Sequence, residues 1–411
     1  MWVLLLLLLA ETPAFDSAFR AGLMALNAHK LAEAQAHLET AAKIQPRNPQ
    51  VWMALAQTYW RSRQPKAAAS AATNAESLDP QNPVILHGLA YFYSETENFA
   101  RAAELESRYA QAAPNDRSAL PRAAELYLRA EQPQSAIDLL RKALAVEDRA
   151  ELRNLLGQAY ESEGQPALAI PELQAAIKLN PYEEAYYFDL GRALMQHKNA
   201  KDAIEVLEAG KKVFSKSAQI ELALGVAYYG ARRFSEAADS FLRTIQIAPD
   251  VEQAYIFLAR MFDQAEDKLP ETLKTFAAFA KTRPDNYMSS FVYGKALALA
   301  GELDKAEAML RKSIALNANF WESHFELGVL MQRERKLQPA AAEFQRAIEI
   351  NPKEPTAHFR LSIVYFRLGK TAEAQAEKAV HERLAIEQES ETKQKFKGIP
   401  KLELKRVETG R

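Results

Sequence analysis

The sequence contains no cysteine among its 411 residues. This absence excludes disulfide bonds, thiolate metal sites, cysteine nucleophiles and a lipid anchor on an amino-terminal cysteine. An excess of one charge is also lacking, since 52 basic residues stand against 53 acidic ones. A balanced chain has no global field of the kind that marks a nucleic-acid or membrane-surface binder. Glycine is scarce at 14, whereas helix-favouring residues such as alanine, leucine and glutamate are abundant.

Apolar runs of membrane-spanning length are missing as well. The run at Trp2–Ala10 has nine apolar residues, whereas a spanning helix needs roughly 20. It matches the hydrophobic section of a secretory signal, with Leu8-x-Ala10 as a cleavage site, although the usual preceding Lys or Arg is absent. We therefore expect a signal-peptide-like leader at 1–14 and export to the periplasm or the medium if this is a truncated signal, and a cytoplasmic protein otherwise. The alternative is a frayed apolar cap on the first helix.

One proline recurs at a fixed interval after an apolar helical stretch. The prolines are Pro46, Pro80, Pro114, Pro181, Pro249, Pro284 and Pro352, spaced by 34, 34, 67, 68, 35 and 68 residues. Three spacings are about twice the basic period, and the positions where a proline is missing are occupied by Asp148, Ser215 and Ala318. A fixed period of this length is the mark of a repeat architecture, in which each unit packs only on its neighbours. Because proline cannot continue a helix, each one predicts the end of one unit and the start of the next.

Two helical patterns lie between successive prolines. The first has a large apolar residue, a small residue and an aromatic or large residue, as in Leu55-Ala56-Tyr59. The second has an alanine twelve residues before the proline and a bulkier side chain four residues later, as in Ala136 and Leu140. The spacing keeps the large residues on one helix face. The small residue predicts a point where two helix backbones approach closely.

A 34-residue unit with small residues at positions 8, 20 and 27 and proline at 32 resembles the tetratricopeptide repeat (TPR). The resemblance covers residues 15–388 and implies an all-α, right-handed superhelical solenoid of about eleven helix-turn-helix repeats. The charged stretch 389–411 lacks the pattern and predicts a disordered tail. The predicted repeats are 15–48, 49–82, 83–116, 117–149, 150–183, 184–217, 218–251, 252–286, 287–320, 321–354 and 355–388.

The sequence contains no recognisable set of catalytic residues. Gly369-Lys370-Thr371 imitates the end of a phosphate-binding loop, but no upstream glycine or strand accompanies it. His324 and His358 share position 4 of adjacent repeats, where two neutral packed histidines are favoured over a metal pair. We therefore predict no enzyme activity, no catalytic or metal-ligating residues and no cofactor.

The family resemblance implies where partners bind. In TPR proteins the first helix of each repeat lines a concave groove through positions 2, 5, 9, 12 and 13. In the second half of this chain those positions carry aromatic, apolar and basic residues, which predict a partner peptide with acidic and apolar side chains. The alternative is that the cations pair internally, with Asp189 or Asp263, and that the aromatics pack between repeats. The predicted groove residues are Phe188, Arg192, Tyr229, Ile256, Arg260, Phe291, Lys295 and Phe325.

The expected function is therefore a non-enzymatic scaffold or adaptor for protein–protein interaction. Two alternatives stay open. A helical-repeat nucleic-acid binder would share a similar period, but it lacks this proline pattern, and the neutral charge argues against phosphate binding and favours no nucleic acid. A TPR subunit of a bacterial envelope assembly, secretion or polysaccharide-export machine is permitted by the resemblance.

Overall fold

The computed structural model describes residues 13–261 and 264–395, with side chains throughout except at 266 and 389–395. The apolar run Trp2–Ala10, Asp263 and the tail beyond Lys395 lie outside the described residues. The described helices are α-helices except for 3₁₀ residues between 264 and 268, so the predicted fold of stacked helix pairs is confirmed. None of its helices is both long and apolar enough to cross a membrane.

The contacts between residues divide the protein into two compact units. The first unit ends at Pro181 and the second begins at Tyr182. The first unit contains five antiparallel helix pairs. Its helices are α1 (Pro13–Asn27), α2 (Leu31–Ile44), α3 (Pro49–Arg61), α4 (Pro65–Leu78), α5 (Pro83–Glu95), α6 (Phe99–Ala112), α7 (Ala119–Arg129), α8 (Pro133–Val146), α9 (Ala150–Ser162) and α10 (Pro166–Leu179).

The second unit contains six pairs. A 3₁₀ turn at Glu266–Lys268 lies between α15 and α16. In this repeat the prolines Pro249 and Pro284 are 35 residues apart, one more than the usual 34. The last helix continues to Lys395, so residues 389–395 are helical. The helices are α11 (Glu184–Gln196), α12 (Ala200–Val213), α13 (Ala218–Gly230), α14 (Phe234–Ile247), α15 (Glu252–Met261), α16 (Leu269–Thr282), α17 (Tyr287–Leu299), α18 (Leu303–Leu316), α19 (Trp321–Arg333), α20 (Leu337–Ile350), α21 (Pro355–Arg367) and α22 (Thr371–Lys395).

Each recurring proline lies in the turn between repeats, two residues after the second helix ends, as Pro46 follows Ile44. The next first helix then begins with its own cap. Asn48 and Asn82 each accept a hydrogen bond from the backbone N–H two residues on, at 3.0 Å. Proline follows directly at the first helical position, where its missing N–H has no partner to lose. Pro121 likewise lies in the first turn of α7, where its missing N–H removes no hydrogen bond within the helix.

The small residue at position 8 receives the large residue at position 24 of the same repeat. A Cβ added to Gly225 would lie 2.4 Å from the ring of Phe241, and one added to Gly157 would lie 2.5 Å from Leu173. The same glycine would also approach the backbone carbonyl of Ala169, at 3.1 Å. The sequence predicts a close approach of two helix backbones at position 8. The nearest neighbour of the small residue is instead the side chain at position 24, and the facing backbone lies slightly farther away. This contact holds the two helices of a pair together.

A left-handed residue at position 15 closes the turn between the two helices of ten repeats. Only three of these residues are glycine, namely Gly164, Gly301 and Gly369. The other seven have side chains at φ between 56° and 61°, a conformation that disfavours L-residues with a Cβ. They are His29, Arg63, Glu97, Glu131, Lys198, Arg232 and Arg335.

We expect Arg63→Gly to raise the free energy of unfolding by about 0.5–1 kcal/mol. Relief of the left-handed strain, about 1–2 kcal/mol, exceeds the entropy that glycine loses on folding. Gly301→Ala should lower the free energy of unfolding, because alanine is disfavoured at the φ of 83°. No atom lies within 4 Å of the added Cβ, so this backbone strain is the only cost. Urea unfolding of the full chain checks both variants. A lower midpoint for Arg63→Gly would contradict the strain argument.

A buried polar cluster joins α5, α6 and α7 in the first unit. Glu106 is only 2% exposed and occupies position 24, where most repeats have leucine or phenylalanine. Its carboxylate accepts from Arg122 Nε at 2.7 Å and lies 3.0 Å from His87 Nδ1. Arg122 also donates to Asp116 at 2.8 Å, and this hydrogen bond is the main reason that the pKa of Asp116 falls to about 2. The charged residue that breaks the repeat pattern here is therefore fully partnered.

Candidate functional site

An apolar cavity in the second unit spans the first helices of consecutive repeats. Its volume is about 410 Å³. We call it the aromatic pocket. It is lined by Ile256, Ala259, Arg260, Met288, Phe291, Lys295, Phe320, Trp321, Glu322, Phe325, Glu326 and Glu354.

Helical periodicity puts these side chains on one face. Ile256 and Arg260 are four residues apart on α15, and Phe291 and Lys295 repeat that spacing on α17, so each pair points in one direction. Repetition at a fixed period then aligns equivalent positions of neighbouring repeats. The pocket walls are thus a stack of equivalent helix faces, made from positions 5 and 9 in two successive repeats.

Aromatic rings form one wall of the pocket. Phe320 meets Phe291 edge to face with ring centroids 5.0 Å apart. Phe325 contacts Trp321 at 6.0 Å and the fully buried Phe344 at 5.7 Å. Phe291 is buried, whereas Ile256 and Phe325 are half-buried and present surface to the cavity. Rings fixed by packing lose little freedom when they contact a ligand, so this wall is pre-organised for binding.

The charged residues at the rim are of both signs. Lys295 Nζ forms an ion pair with Glu326 at 2.9 Å. Arg260 is exposed and has no ion pair among the described residues. Burial raises the pKa of the half-buried Glu322 carboxyl above its usual value; the positive charge of Arg260 opposes this shift and the negative charge of Glu354 adds to it. The pocket therefore offers an apolar floor beneath a mixed-charge rim.

Models of the tetratricopeptide repeat match residues 53–117, 122–184, 188–252 and 253–320. Two further tetratricopeptide models match residues 25–70 and 343–376. These matches cover more than half of the chain. The chain belongs to the tetratricopeptide repeat family. A TPR array is generally a non-enzymatic scaffold that binds protein or peptide partners, and no catalytic family matches this chain.

Several solved TPR structures resemble this chain at low sequence identity. Yeast Tom70 is 15% identical, with 92% of this chain and 97% of that one covered at a TM-score of 0.40. Part of a TPR repeat-containing protein from Cytophaga hutchinsonii is 20% identical, with coverages of 66% and 98% and a TM-score of 0.44. YrrB, titled a TPR protein with an unusual peptide-binding site, is 24% identical, with coverages of 46% and 97% and a TM-score of 0.34. A search of curated proteins gave no match.

Five of the eight groove residues predicted from the TPR frame line the aromatic pocket, and three do not. The five are Ile256, Arg260, Phe291, Lys295 and Phe325. Phe188 is buried within its own repeat stack, at 4% exposure. Arg192 lies 3.7 Å from Asp189 on the same helix, which is the internal pairing left open as an alternative. Tyr229 is exposed and meets Phe234 edge to face at 5.8 Å.

The structure adds pocket residues that the sequence prediction omitted. Met288 and Glu322 occupy position 2, which the TPR frame assigns to the groove. Phe320 and Glu354 occupy the last position before a first helix, and the frame gives no signal for these. The three glutamates change the electrostatics most. The expectation of an acidic partner rested on the cations alone, and the carboxylates beside them remove that reason at this pocket.

Other chemistry-bearing residues of this TPR chain serve packing. His324 and His358 are buried, and their Nδ1 atoms lie 2.7 Å from Glu343 and 2.6 Å from Glu377. Each histidine therefore joins the two helices of its own repeat. Within residues 13–261 and 264–395, no group of three or more His, Asp or Glu side chains is placed to hold a metal ion.

Proposed function

We propose that this protein is a non-enzymatic interaction scaffold that holds a partner peptide in the aromatic pocket of its second unit. The single observation that carries the proposal is the pocket itself. Its volume of about 410 Å³ is walled by pre-organised aromatic rings and rimmed by charges on consecutive first helices. A few buried aromatic anchors within a polar rim are the usual anatomy of a peptide or protein binding site.

The mixed rim disfavours the nucleic-acid alternative. Binding to a phosphate backbone needs a basic track that releases counterions. The aromatic pocket instead has three carboxylates beside two cations. A subunit of an envelope assembly, secretion or export machine would use the same scaffold role.

The proposal is tested by displaying a randomised peptide library and selecting it with the full-length chain. The wild type should enrich a defined set of peptides. Ile256→Asn combined with Phe325→Asn should abolish the enrichment, because it removes apolar surface from two walls without changing the charge. Leu316→Asn is the control, since it makes the same apolar-to-polar change at a surface residue, 40% exposed, that lies outside the pocket.

Unchanged helix content by circular dichroism must accompany the comparison. Selection of no peptide by the wild type would contradict the scaffold proposal. Equal selection by the wild type and the pocket variant would contradict the placement of the site.

A further inference from the structure

The charges of the aromatic pocket do not cancel. Two cations, Arg260 and Lys295, face three carboxylates, Glu322, Glu326 and Glu354, so the lining carries a net charge of 2 − 3 = −1. Lys295 is held against Glu326 at 2.9 Å. Glu354 uses one carboxylate oxygen to cap α21, accepting from the N–H of Thr356 at 3.1 Å. The part of the rim around Glu322 is therefore the negative part of the pocket.

Glu322 is compensated by a hydrogen bond to its own backbone and by no close cation among the described residues. It is half-buried beside Phe291, Trp321 and Phe325, and no Lys or Arg nitrogen among the described residues lies within 4 Å of its oxygens. Arg260 acts on it only from a longer range. A partly desolvated carboxylate without a hydrogen-bonded cation is stabilised when a ligand supplies that cation.

We propose that the aromatic pocket takes an arginine side chain of the partner peptide, with its guanidinium on Glu322 and its plane against the aromatic wall. The inference rests on the proposed peptide-binding function and specifies its chemistry. A guanidinium is planar, pairs with carboxylates through two hydrogen bonds and stacks on aromatic faces, whereas a lysine ammonium does not match this combination. Apolar side chains flanking the arginine would contact Ile256 and Met288, which line the same cavity.

The same peptide library gives the first readout. Peptides selected by the wild-type full chain should be enriched in arginine next to an apolar residue and depleted in aspartate and glutamate. Enrichment of acidic peptides, or of apolar peptides without arginine, would overturn the inference while leaving the peptide-binding function standing. Selection of no peptide at all would overturn both.

Single substitutions then locate the contact. For the most enriched peptide, made synthetically with a fluorescent label, Glu322→Gln should weaken binding roughly tenfold, the size of one charge-assisted hydrogen bond in a half-buried site. Arg260→Gln should strengthen it, because a competing cation is removed. An acidic ligand would show the reverse for Arg260→Gln. Glu349→Gln is the matched control, because it removes one negative charge outside the pocket. Glu349 pairs with Arg346 on α20.

A ligand substitution separates a direct contact from a general field. Replacing the arginine of the peptide by citrulline keeps the shape and removes the charge. Against the wild type the citrulline peptide should bind roughly tenfold more weakly, and Glu322→Gln should have no further effect on it. Additive effects of the two changes would show that arginine does not contact Glu322 and would overturn the inference.

Discussion

Phe241→Ala is expected to lower the free energy of unfolding of the repeats around α14 by about 3–5 kcal/mol, the range for deleting a buried phenylalanine side chain. Phe241 has no exposed surface. Its ring fills the space left by the missing side chain of Gly225 and stacks on Phe257 of the next repeat, with centroids 5.2 Å apart. The substitution therefore loosens both the contact within a helix pair and the contact between pairs. Hydrogen exchange of α13–α15, together with urea unfolding, measures the effect.

Two controls isolate packing from hydrophobicity. Phe241→Leu introduces the commonest residue at position 24, so it should cost only about 1–2 kcal/mol. Phe366→Ala removes the same ring from a side chain that is 70% exposed and should change stability by less than about 0.5 kcal/mol. Equal losses for Phe241→Ala and Phe241→Leu would show that filling the notch at Gly225 is not what stabilises the pair.

Arg122→Met is expected to lower the stability of the first unit by about 3 kcal/mol. The substitution leaves the carboxylate of Glu106, which is 2% exposed, with His87 as its one remaining side-chain partner. Breaking a buried ion pair from one side costs about 3–5 kcal/mol, and the partial exposure of Arg122 places this case at the lower end. Hydrogen exchange in α5–α7 and the urea midpoint of the full chain give the size of the loss.

The double variant Glu106→Leu with Arg122→Met should recover most of that loss. It restores the leucine typical of position 24 and removes both charges together, and replacing a buried ion pair by apolar residues is often neutral or stabilising. A double variant as unstable as Arg122→Met alone would mean that Arg122 acts through another contact, such as its hydrogen bond to Asp116.

The helix pairs were predictable because periodicity is a property of the sequence alone. Position 8, position 24 and the turn between repeats, which has proline in seven of ten cases, recur about every 34 residues. Packing within one repeat needs no information from elsewhere. The conformation at position 15 was less visible, because only Gly164, Gly301 and Gly369 mark a turn that seven other repeats close with ordinary side chains.

The candidate site was predictable only in part. The frame located Ile256, Arg260, Phe291, Lys295 and Phe325, because a fixed helix face is exposed in every repeat. It did not show that Lys295 meets Glu326, since that contact depends on the rotation between neighbouring repeats. That rotation is set by side-chain packing at each junction. The charge of the pocket is consequently a property of three dimensions, and residue types at single positions do not give it.

The construction of the aromatic pocket has a consequence for how such a chain can change by duplication or loss of repeats. Its lining runs from Ile256 to Glu354, so it is assembled from consecutive modules that touch only their neighbours. Gain or loss of a module in the first unit leaves this lining intact. Gain of one module between α15 and α19 separates Arg260 from Glu322, and loss of the α17–α18 module removes Phe291 and Lys295 from the lining. Either change replaces one specificity by another in a single genetic step. The array can therefore acquire new partners without first losing its fold.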